Sequence, residues 1–290
     1  MELTDLKMIM VIMKEGNITR AAEKLDYVQS NITMRVRKLE QELGVQLFHR
    51  HTKGVEPTEK GRLFCQYAAD ILRMVDEATR AVQDQDQPCG PLRIGVVETI
   101  TSSAPFIRAL IDFQSRCPEV SLSLETGTSP SNYEKVANRE LDGAFCTGEY
   151  DLSQMQVGYE VQEQIFLLTN ALAQEAPASS ELANAAWVVF PVGCPIRAAN
   201  EDWLLSEGVP HLNKIEVSTL DTMLNCVRAG IGYALVTNTV VARDDDLVHV
   251  HPVPELYRFV TTRLIARKEP FQNKAFDAFA ACVRAAGGEA

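Results

Sequence analysis

The feature that most constrains this chain is a pair of helical patterns near the N-terminus, separated by only a few residues. In the first, NITRAAEKL, Asn17 can cap the helix and Ala21-Ala22 allow a neighbouring helix to approach closely. The second, QSNITMRVRKLEQEL, places its apolar residues on one face and its amide, hydroxyl and guanidinium groups largely elsewhere. Two helices joined in this way predict a helix-turn-helix, whose second helix enters the major groove of double-stranded DNA.

The polar face of the second helix is the predicted DNA-reading surface. Gln and Asn side chains can pair with adenine, and Arg with guanine, in the major groove. The alternative for any one of these positions is an ordinary solvated helix residue. The residues expected to face DNA are Gln29, Ser30, Asn31, Thr33 and Arg35.

The segment HRHTKGVEPT after this helix predicts a wing. Lys53-Gly54 within it is typical of a tight turn between two short extended pieces. Arg50 and Lys53 are expected to contact phosphates, which position a protein on DNA without reading its sequence. The N-terminal part is therefore predicted to be a winged helix-turn-helix.

A long helical pattern follows the wing. Its apolar residues alternate at steps of four and three, which favours a seam against a partner helix over a helix packed only on its own domain. The seam residues are Phe64, Ala68, Ile71, Val75, Ala78 and Val82. The stretch from Asp84 to Pro91 contains two prolines and a glycine, so it ends this helix and marks a domain boundary.

Beyond the boundary, short apolar strands alternate with helices. LRIGVVE, VSLSLET and GAFCT are separated by helical patterns, and a second such set follows. This alternation predicts βαβ units with parallel strands. Strands crossing between the two sets near 160–165 and 260–265 would give two α/β lobes around a hinged cleft.

The segments NITRAAEKL, VRKLEQELGVQLFHR and PTEKG together resemble the LysR-type transcriptional regulators, and the resemblance covers the whole chain. It implies a winged helix-turn-helix over residues 1–58, a linker and dimerisation helix over 59–88, and a periplasmic-binding-protein-like effector domain over 89–290. Lobe I would span about 91–162 and 265–290, and lobe II about 163–264. It also implies a homodimer that assembles into a homotetramer. The chain departs from the family at Val28-Gln29-Ser30-Asn31, where many members carry Ser-Gln-Pro-Ala, so base preferences cannot be transferred.

Hydroxyl groups cluster where the predicted strands LRIGVVE and VSLSLET end. At the start of a helix, such groups can join the free amide hydrogens in holding an anion, although plain helix capping is the alternative. The resemblance places both clusters in the cleft with residues from other loops, so a small anionic effector is expected. The full candidate set is Thr99, Thr101, Ser102, Ser103, Thr128, Ser129, Thr147, Cys194, Arg197 and Ser218.

Charge and composition limit the remaining function classes. The net charge is −11, but residues 1–88 carry only −1, and the segment from Asn17 to Arg62 carries +3, a modest footprint for DNA. The start MELTDLKMIM lacks signal-peptide features, and no apolar stretch approaches the roughly 18 residues of a membrane span. We therefore expect a cytoplasmic protein without cofactor or metal. Its partners would be operator DNA, an effector and, as a further candidate, RNA polymerase.

Three alternatives are set against a regulator gated by a metabolite. Cys194 near Arg197 and a helix start would serve a thiol-based redox-sensing regulator if its pKa were depressed. A Cys-dependent enzyme would use Cys194 as nucleophile and His249 or His251 as base, but neither His lies in a catalytic motif. A solute-binding protein would leave residues 1–62 without a purpose and would need an export signal.

Overall fold

A computed structural model describes residues 1–51, 54–82, 87–172, 175–209, 213–240, 245–268 and 273–288. The chain divides into two units, Met1–Gln85 and Asp86–Ala290. None of the helices described within these ranges combines the length and the apolar character needed to cross a membrane.

The first unit packs helices against an antiparallel strand pair. Asn17 accepts the amide hydrogens of Thr19 and Arg20 and so starts the second helix, as the sequence predicts. The third helix buries Ile32, Val36 and Leu39 in the core of this unit, together with apolar residues of the strands. The described elements are α1 (Leu3–Glu15), α2 (Ile18–Lys24), α3 (Gln29–Leu43), β1 (Phe48–His51), β2 (Gly54–Pro57) and α4 (Glu59–Val82).

Two glycines let the wing approach the first helix. Gly16 ends α1 with a φ of 59°, and its carbonyl accepts the amide hydrogen of Val55 at 2.9 Å. A Cβ atom on Gly54 would lie within 3.0 Å of the Gly16 carbonyl oxygen, so this close contact requires glycine. The predicted pairing of two short extended pieces is thus held against α1 by backbone contacts.

Helix α4 divides its apolar residues between two sides. Cys65 is buried in the core of the first unit and Phe64 packs against that core, while Ala68 is fully buried on the same helix. The inclusion of Ala68 in an intermolecular seam was therefore wrong, because its side chain is already covered. The large apolar side chains that the described part of α4 leaves exposed form the α4 stripe, which consists of Leu63, Tyr67, Ile71 and Met74. Ala78 is exposed as well, and the side chain of Val82 lies outside the described residues.

The second unit confirms the predicted α/β class. Lobe I contains β3 (Gly90–Val96), α5 (Glu98–Thr101), α6 (Ala104–Arg116), β4 (Val120–Thr126), α7 (Ser129–Ala137), β5 (Gly143–Thr147) and α11 (Lys274–Gly287). Lobe II contains α8 (Ser179–Asn184), β7 (Ala186–Val189), α9 (Pro195–Ser206), β8 (Asn213–Glu216), α10 (Leu220–Arg228), β9 (Ala234–Thr237), β10 (Val248–Pro252) and a 3-10 helix (Glu255–Tyr257). Two further strands, β6 (Met155–Asn170) and β11 (Phe259–Arg267), link the lobes.

The strand pairing shows how the two lobes are connected. In lobe I, β3 runs parallel to β4 and β5, and β11 lies antiparallel to β5. Strand β6 pairs with β11 up to Gln164 and then, from Ile165, with β9 and β10 in lobe II. In lobe II, β7 and β8 form a separate parallel pair. Strands β6 and β11 therefore form the connection between the two lobes.

Candidate DNA interface and effector cleft

The exposed side of α3 forms an open, shallow depression on the first unit. Residues three, four and seven positions apart share one side of a helix, so this side lies opposite the buried stripe. The residues that line the depression are Gln29, Ser30, Thr33, Met34, Arg37, Lys38 and Gln41. Three of the predicted DNA-facing residues are thus brought together with Arg37 and Lys38, which the sequence analysis did not select. Asn31 is half-buried and lies beside this set.

Arg35 lies on another side of α3 and contacts α1. Its Nε donates to Asp5 Oδ1 at 2.8 Å, and its Nη2 donates to Glu2 Oε2 at 2.9 Å. These hydrogen bonds, first to Asp5 and then to Glu2, raise the pKa of Arg35. Burial by itself would raise the pKa of Asp5, but the amide hydrogen of Glu2 and the guanidinium of Arg35 outweigh it, so the pKa is lowered. This geometry disfavours Arg35 as a base contact and favours Arg37.

The wing carries the two predicted phosphate contacts. In β1, Arg50 pairs through its backbone with Val55 of β2. The side chain of Arg50 and the whole of Lys53 lie outside the described residues. Their contacts with phosphate stay predictions.

The hydroxyl cluster after β3 divides into two kinds of group. Thr101 Oγ1 and Ser102 Oγ donate to the carbonyl of Glu98, at 2.8 and 3.3 Å. A hydroxyl has one hydrogen, so these two are left mainly with acceptor capacity, which disfavours them as anion donors. Ser103 instead accepts the amide hydrogen of Phe106 at 3.3 Å and keeps its own hydrogen for another acceptor. Thr99 is buried beside them.

The second cluster lies at the start of α7. Thr128 Oγ1 accepts the amide hydrogen of Ser131 at 3.4 Å, so it caps the helix and keeps its hydroxyl hydrogen. Ser129 Oγ accepts the amide hydrogen of Thr147 at 3.0 Å, which joins the start of α7 to the end of β5. The predicted grouping of Thr128, Ser129 and Thr147 at neighbouring strand ends is therefore present in the structure.

Tyr150 is a cleft residue that the sequence analysis missed. Burial, followed by proximity to Cys146, raises the pKa of Tyr150 to about 12, while a hydrogen bond with Ser129 acts in the opposite direction. Its ring stacks on Tyr133 with centroids 4.9 Å apart. The available signal was an aromatic hydroxyl in the loop directly after the strand GAFCT.

The starts of α7 and α9 meet across the cleft. A Cβ atom on Gly193 would lie 3.3 Å from Pro130 Cγ, and one on Gly148 would lie 3.1 Å from Pro195 Cγ. Glu98 Oε2 also accepts the amide hydrogen of Leu220, at 3.4 Å, at the start of α10. Ser218 lies exposed just before this helix. Lobe I thus contributes a carboxylate to a helix start of lobe II, a contact that residue type alone did not reveal.

Cys194 and Arg197 are each engaged by neighbouring groups. Burial raises the pKa of Cys194, and the amide hydrogens of Arg197 and Ile196 only partly oppose this. The redox alternative requires a depressed pKa, and the raised pKa of this half-buried thiol counts against it. Arg197 donates to Glu216 at 2.7 Å, to Glu201 at 3.0 Å and to the carbonyl of Phe190 at 2.9 Å. Two carboxylate partners disfavour Arg197 as the cation that binds an effector.

A buried carboxylate lies where β6 and β11 cross. Glu163 is 1% exposed and accepts hydrogen bonds from Thr262 and, at 2.7 Å, from Thr239. Thr262 Oγ1 is also 2.9 Å from Thr147 Oγ1, and Thr239 Oγ1 is 2.7 Å from Thr237 Oγ1. This chain of hydroxyls, the Glu163 network, connects the end of β5 in lobe I to the end of β9 in lobe II. Within the described ranges, three or more His, Cys, Asp or Glu side chains do not come together as a metal site.

Comparison with known proteins identifies the family. Residues 3–62 match the family described as bacterial regulatory helix-turn-helix protein, lysR family, and residues 85–288 match the LysR substrate binding domain. The chain is 35% identical over 282 residues to the HTH-type transcriptional regulator SoxR of Arthrobacter sp. (strain TE1826), covering 96% of this chain and 95% of SoxR. It is 34% identical over 289 residues to the HTH-type transcriptional regulator CzcR of Bacillus anthracis, covering 96% of each.

Solved structures show the same fold. Full-length CbnR, crystallised with its target DNA, aligns with a TM-score of 0.71 at 21% identity, over 99% of this chain and 100% of CbnR. A full-length OxyR variant from Pseudomonas aeruginosa aligns with a TM-score of 0.69 at 22% identity, over 98% of this chain and 95% of OxyR. The chain belongs to the LysR family of DNA-binding transcription regulators with an effector-binding domain.

Proposed function

We propose that the open side of α3 reads a double-stranded operator through Gln29, Ser30 and Thr33, with Asn31 at the edge of the set. Arg37 takes the role that the sequence analysis gave to Arg35. The observation that carries this proposal is that Arg37 shares one solvent-exposed depression with these polar residues, whereas Arg35 is engaged by two carboxylates. Arg50 and Lys53 on the wing contact phosphates.

The experiment compares binding to a selected probe and to random DNA. A double-stranded probe is first selected from a randomised library by the full-length protein. Arg37→Ala is expected to cost about 1–3 kcal/mol on this probe and much less on random DNA, because a base contact carries sequence information. Arg116→Ala, which removes an exposed arginine of α6, is the matched control and leaves both affinities unchanged. Equal losses on both probes for Arg37→Ala would refute the assignment.

The effector site is proposed at the ends of β3, β4 and β5, facing the start of α7. Ser103 and Thr128 keep hydroxyl hydrogens there, and the amide hydrogen of Ser129 at the start of α7 is a further donor for an anionic group, since Pro130 has no amide hydrogen and Ser131 donates to Thr128. Tyr150 and Cys194 border the same site, where the thiol acts as a lining group. Because Glu98 already accepts from the start of α10, the anion of the effector binds at α7.

A thermal-shift screen of organic acids, amino acids and amines tests this site, because a ligand that binds only the folded state raises its stability. Thr128→Ala should weaken the response to the active compound by about 1–3 kcal/mol in apparent affinity. Ser102→Ala is the matched control, since its hydroxyl hydrogen is already donated to Glu98. A response that is the same in both variants and in wild type would place the effector elsewhere.

The same proposal includes the oligomeric state, the cellular location and the further partners of the protein. The α4 stripe supports a homodimer formed by pairing of two α4 helices, and two dimers assemble into a homotetramer. An operator-binding regulator of this kind acts in the cytoplasm, with RNA polymerase as a further partner and without catalysis of its own. Redox sensing through Cys194 is the second candidate, and the raised pKa of this thiol counts against it.

A further inference from the structure

Two large apolar side chains are exposed at the DNA-facing part of α3. Val28, which immediately precedes the helix, is 72% exposed, and Met34 is 65% exposed. Isolated exposed apolar residues are common on protein surfaces, so exposure alone carries no argument. Their positions do, because Met34 lines the depression on the reading side of α3, and Val28 lies at the N-terminal end of this helix, where a recognition helix contacts base edges.

Met34 is surrounded by the residues proposed to read bases. It lines the same depression as Ser30, Thr33 and Arg37, with Lys38 and Gln41 on the next turn. A protein-binding patch would be expected to extend as contiguous apolar surface, whereas Met34 is a single apolar side chain among cationic and hydrogen-bonding groups. Such a surface is suited to bind a polyanion that also exposes a small apolar group.

Helix capping does not explain why residue 28 is valine. It occupies the N-cap position of α3 but makes no side-chain cap hydrogen bond, in contrast to Asn17 at the start of α2. Valine is among the least favourable N-cap residues, and Ser or Thr at this position would stabilise the helix. The residue therefore gives up capping at the helix end that the proposed interface turns toward DNA.

We infer that Met34 reads a thymine through its C5-methyl group, with Val28 contributing a second apolar contact at the start of α3. The thymine methyl is the apolar group that base pairs expose in the major groove, and apolar side chains recognise it by contact. The flexible thioether of Met34 can adjust to the position of the methyl group. This inference rests on the proposed role of α3 as the reading helix and assigns thymine at one or two positions of the operator.

The test replaces thymine by deoxyuridine, which keeps the hydrogen-bonding groups of the base and removes only the methyl group. The full-length protein first selects a double-stranded probe from a randomised library, and each thymine of the probe is then replaced in turn. Wild type is expected to lose about fourfold in affinity at one or two positions, corresponding to roughly 0.8 kcal/mol for one methyl-sized group. In Met34→Ala the thymine and deoxyuridine probes should bind equally at the position that Met34 reads.

Two further variants keep the outcome interpretable. Met34→Leu should retain most of the preference for thymine, and Leu205→Ala, which removes an exposed apolar side chain of lobe II, should leave it unchanged. Circular dichroism melting of Met34→Ala should match wild type, because the side chain is exposed. If wild type selects a probe but tolerates deoxyuridine everywhere, or if Met34→Ala keeps the full preference, the inference is overturned. If no probe is selected, the proposed reading role of α3 fails first.

Discussion

At the scale of single residues, the two arginines of α3 lie in different surroundings. Arg37 is exposed beside the polar residues of the depression, and Arg35 ties α3 to the start of α1 through Asp5 and Glu2. They are two positions apart, which rotates their side chains by about 200° around a helix. One arginine therefore suits base contact, and the other sets the position of the helix that makes the contact.

Removing Arg35 should act through stability and helix position. In a double-mutant cycle with Asp5→Asn, we expect a coupling of about 1 kcal/mol in the free energy of unfolding, since the pair is only partly exposed. Arg35→Ala should weaken binding to selected and random probes alike. Chemical denaturation and fluorescence anisotropy measure the two effects. The prediction is wrong if the effects of the two substitutions on the free energy of unfolding are additive and Arg35→Ala loses affinity only for the selected probe. Arg35 would then be a base contact.

Cys194 should behave as an unreactive thiol at neutral pH. Because burial raises its pKa above 9.0, the thiolate becomes populated only in more alkaline solution. Alkylation of Cys194, followed by mass spectrometry of its peptide, should keep rising with pH beyond 9.0 without reaching a plateau. Peroxide should affect operator binding equally in wild type and Cys194→Ser. A peroxide response that disappears in Cys194→Ser would instead establish a redox sensor.

His251 should make lobe II sensitive to mild acid. Burial, with a smaller contribution from His249, lowers the pKa of His251 below 6.5, and its Nε2 lies 2.9 Å from Thr169 Oγ1. Below pH 6.5 the unfolded chain takes up a proton that the folded chain resists. The contribution is therefore fully present above pH 6.5 and is lost as the pH falls through the lowered value.

Urea unfolding followed by tryptophan fluorescence measures this effect, because both tryptophans, Trp187 and Trp203, are buried in lobe II. From pH 6.5 toward about pH 5, the free energy of unfolding should fall more steeply in wild type than in His251→Gln. His249→Gln serves as the control and should keep most of the slope. Identical slopes in wild type and His251→Gln would show that His251 is not held in the neutral form.

At the scale of elements, α4 shows what periodicity can and cannot predict. The alternating steps of four and three indicated a long helix with an unsatisfied apolar side, and α4 does expose such a side. The pattern did not decide which residues the fold itself would cover, because Ala68 and the exposed Tyr67 are neighbours on a helix with apolar residues on two sides. Only the packing of α1 and α4 around Cys65 and Ala68 separates the two sides.

The α4 stripe provides a test of assembly. Ile71→Asp should place a charge in an apolar seam and break the dimer, because an unpaired buried charge is strongly unfavourable. Gln66→Asp, at an exposed position beside the stripe, should leave the assembly intact. Light scattering gives the mass directly. A wild-type mass for Ile71→Asp would move the interface away from α4.

At the scale of the whole molecule, residue patterns predicted the type and order of the elements better than the contacts between them. The helix-turn-helix and the βαβ units follow from local periodicity and capping, so they could be predicted. Strand β10 was not predicted, because it is a short edge strand whose pairing with β6 depends on a distant segment. The Glu163 network and the contact of Glu98 with Leu220 join residues far apart in the chain, and no local pattern marks such pairs.

The central claim is that this LysR-family regulator reads operator sequence through the open side of α3. The most direct measurement is a fluorescence-anisotropy titration of the full-length protein on its selected probe and on a scrambled probe, at several salt concentrations. Wild type should bind the selected probe at least about 1,000-fold more tightly, with affinity for both probes falling as salt rises. Arg37→Ala should reduce this ratio without removing the salt dependence. Equal affinity of wild type for both probes, or an unchanged ratio in Arg37→Ala, would contradict the account.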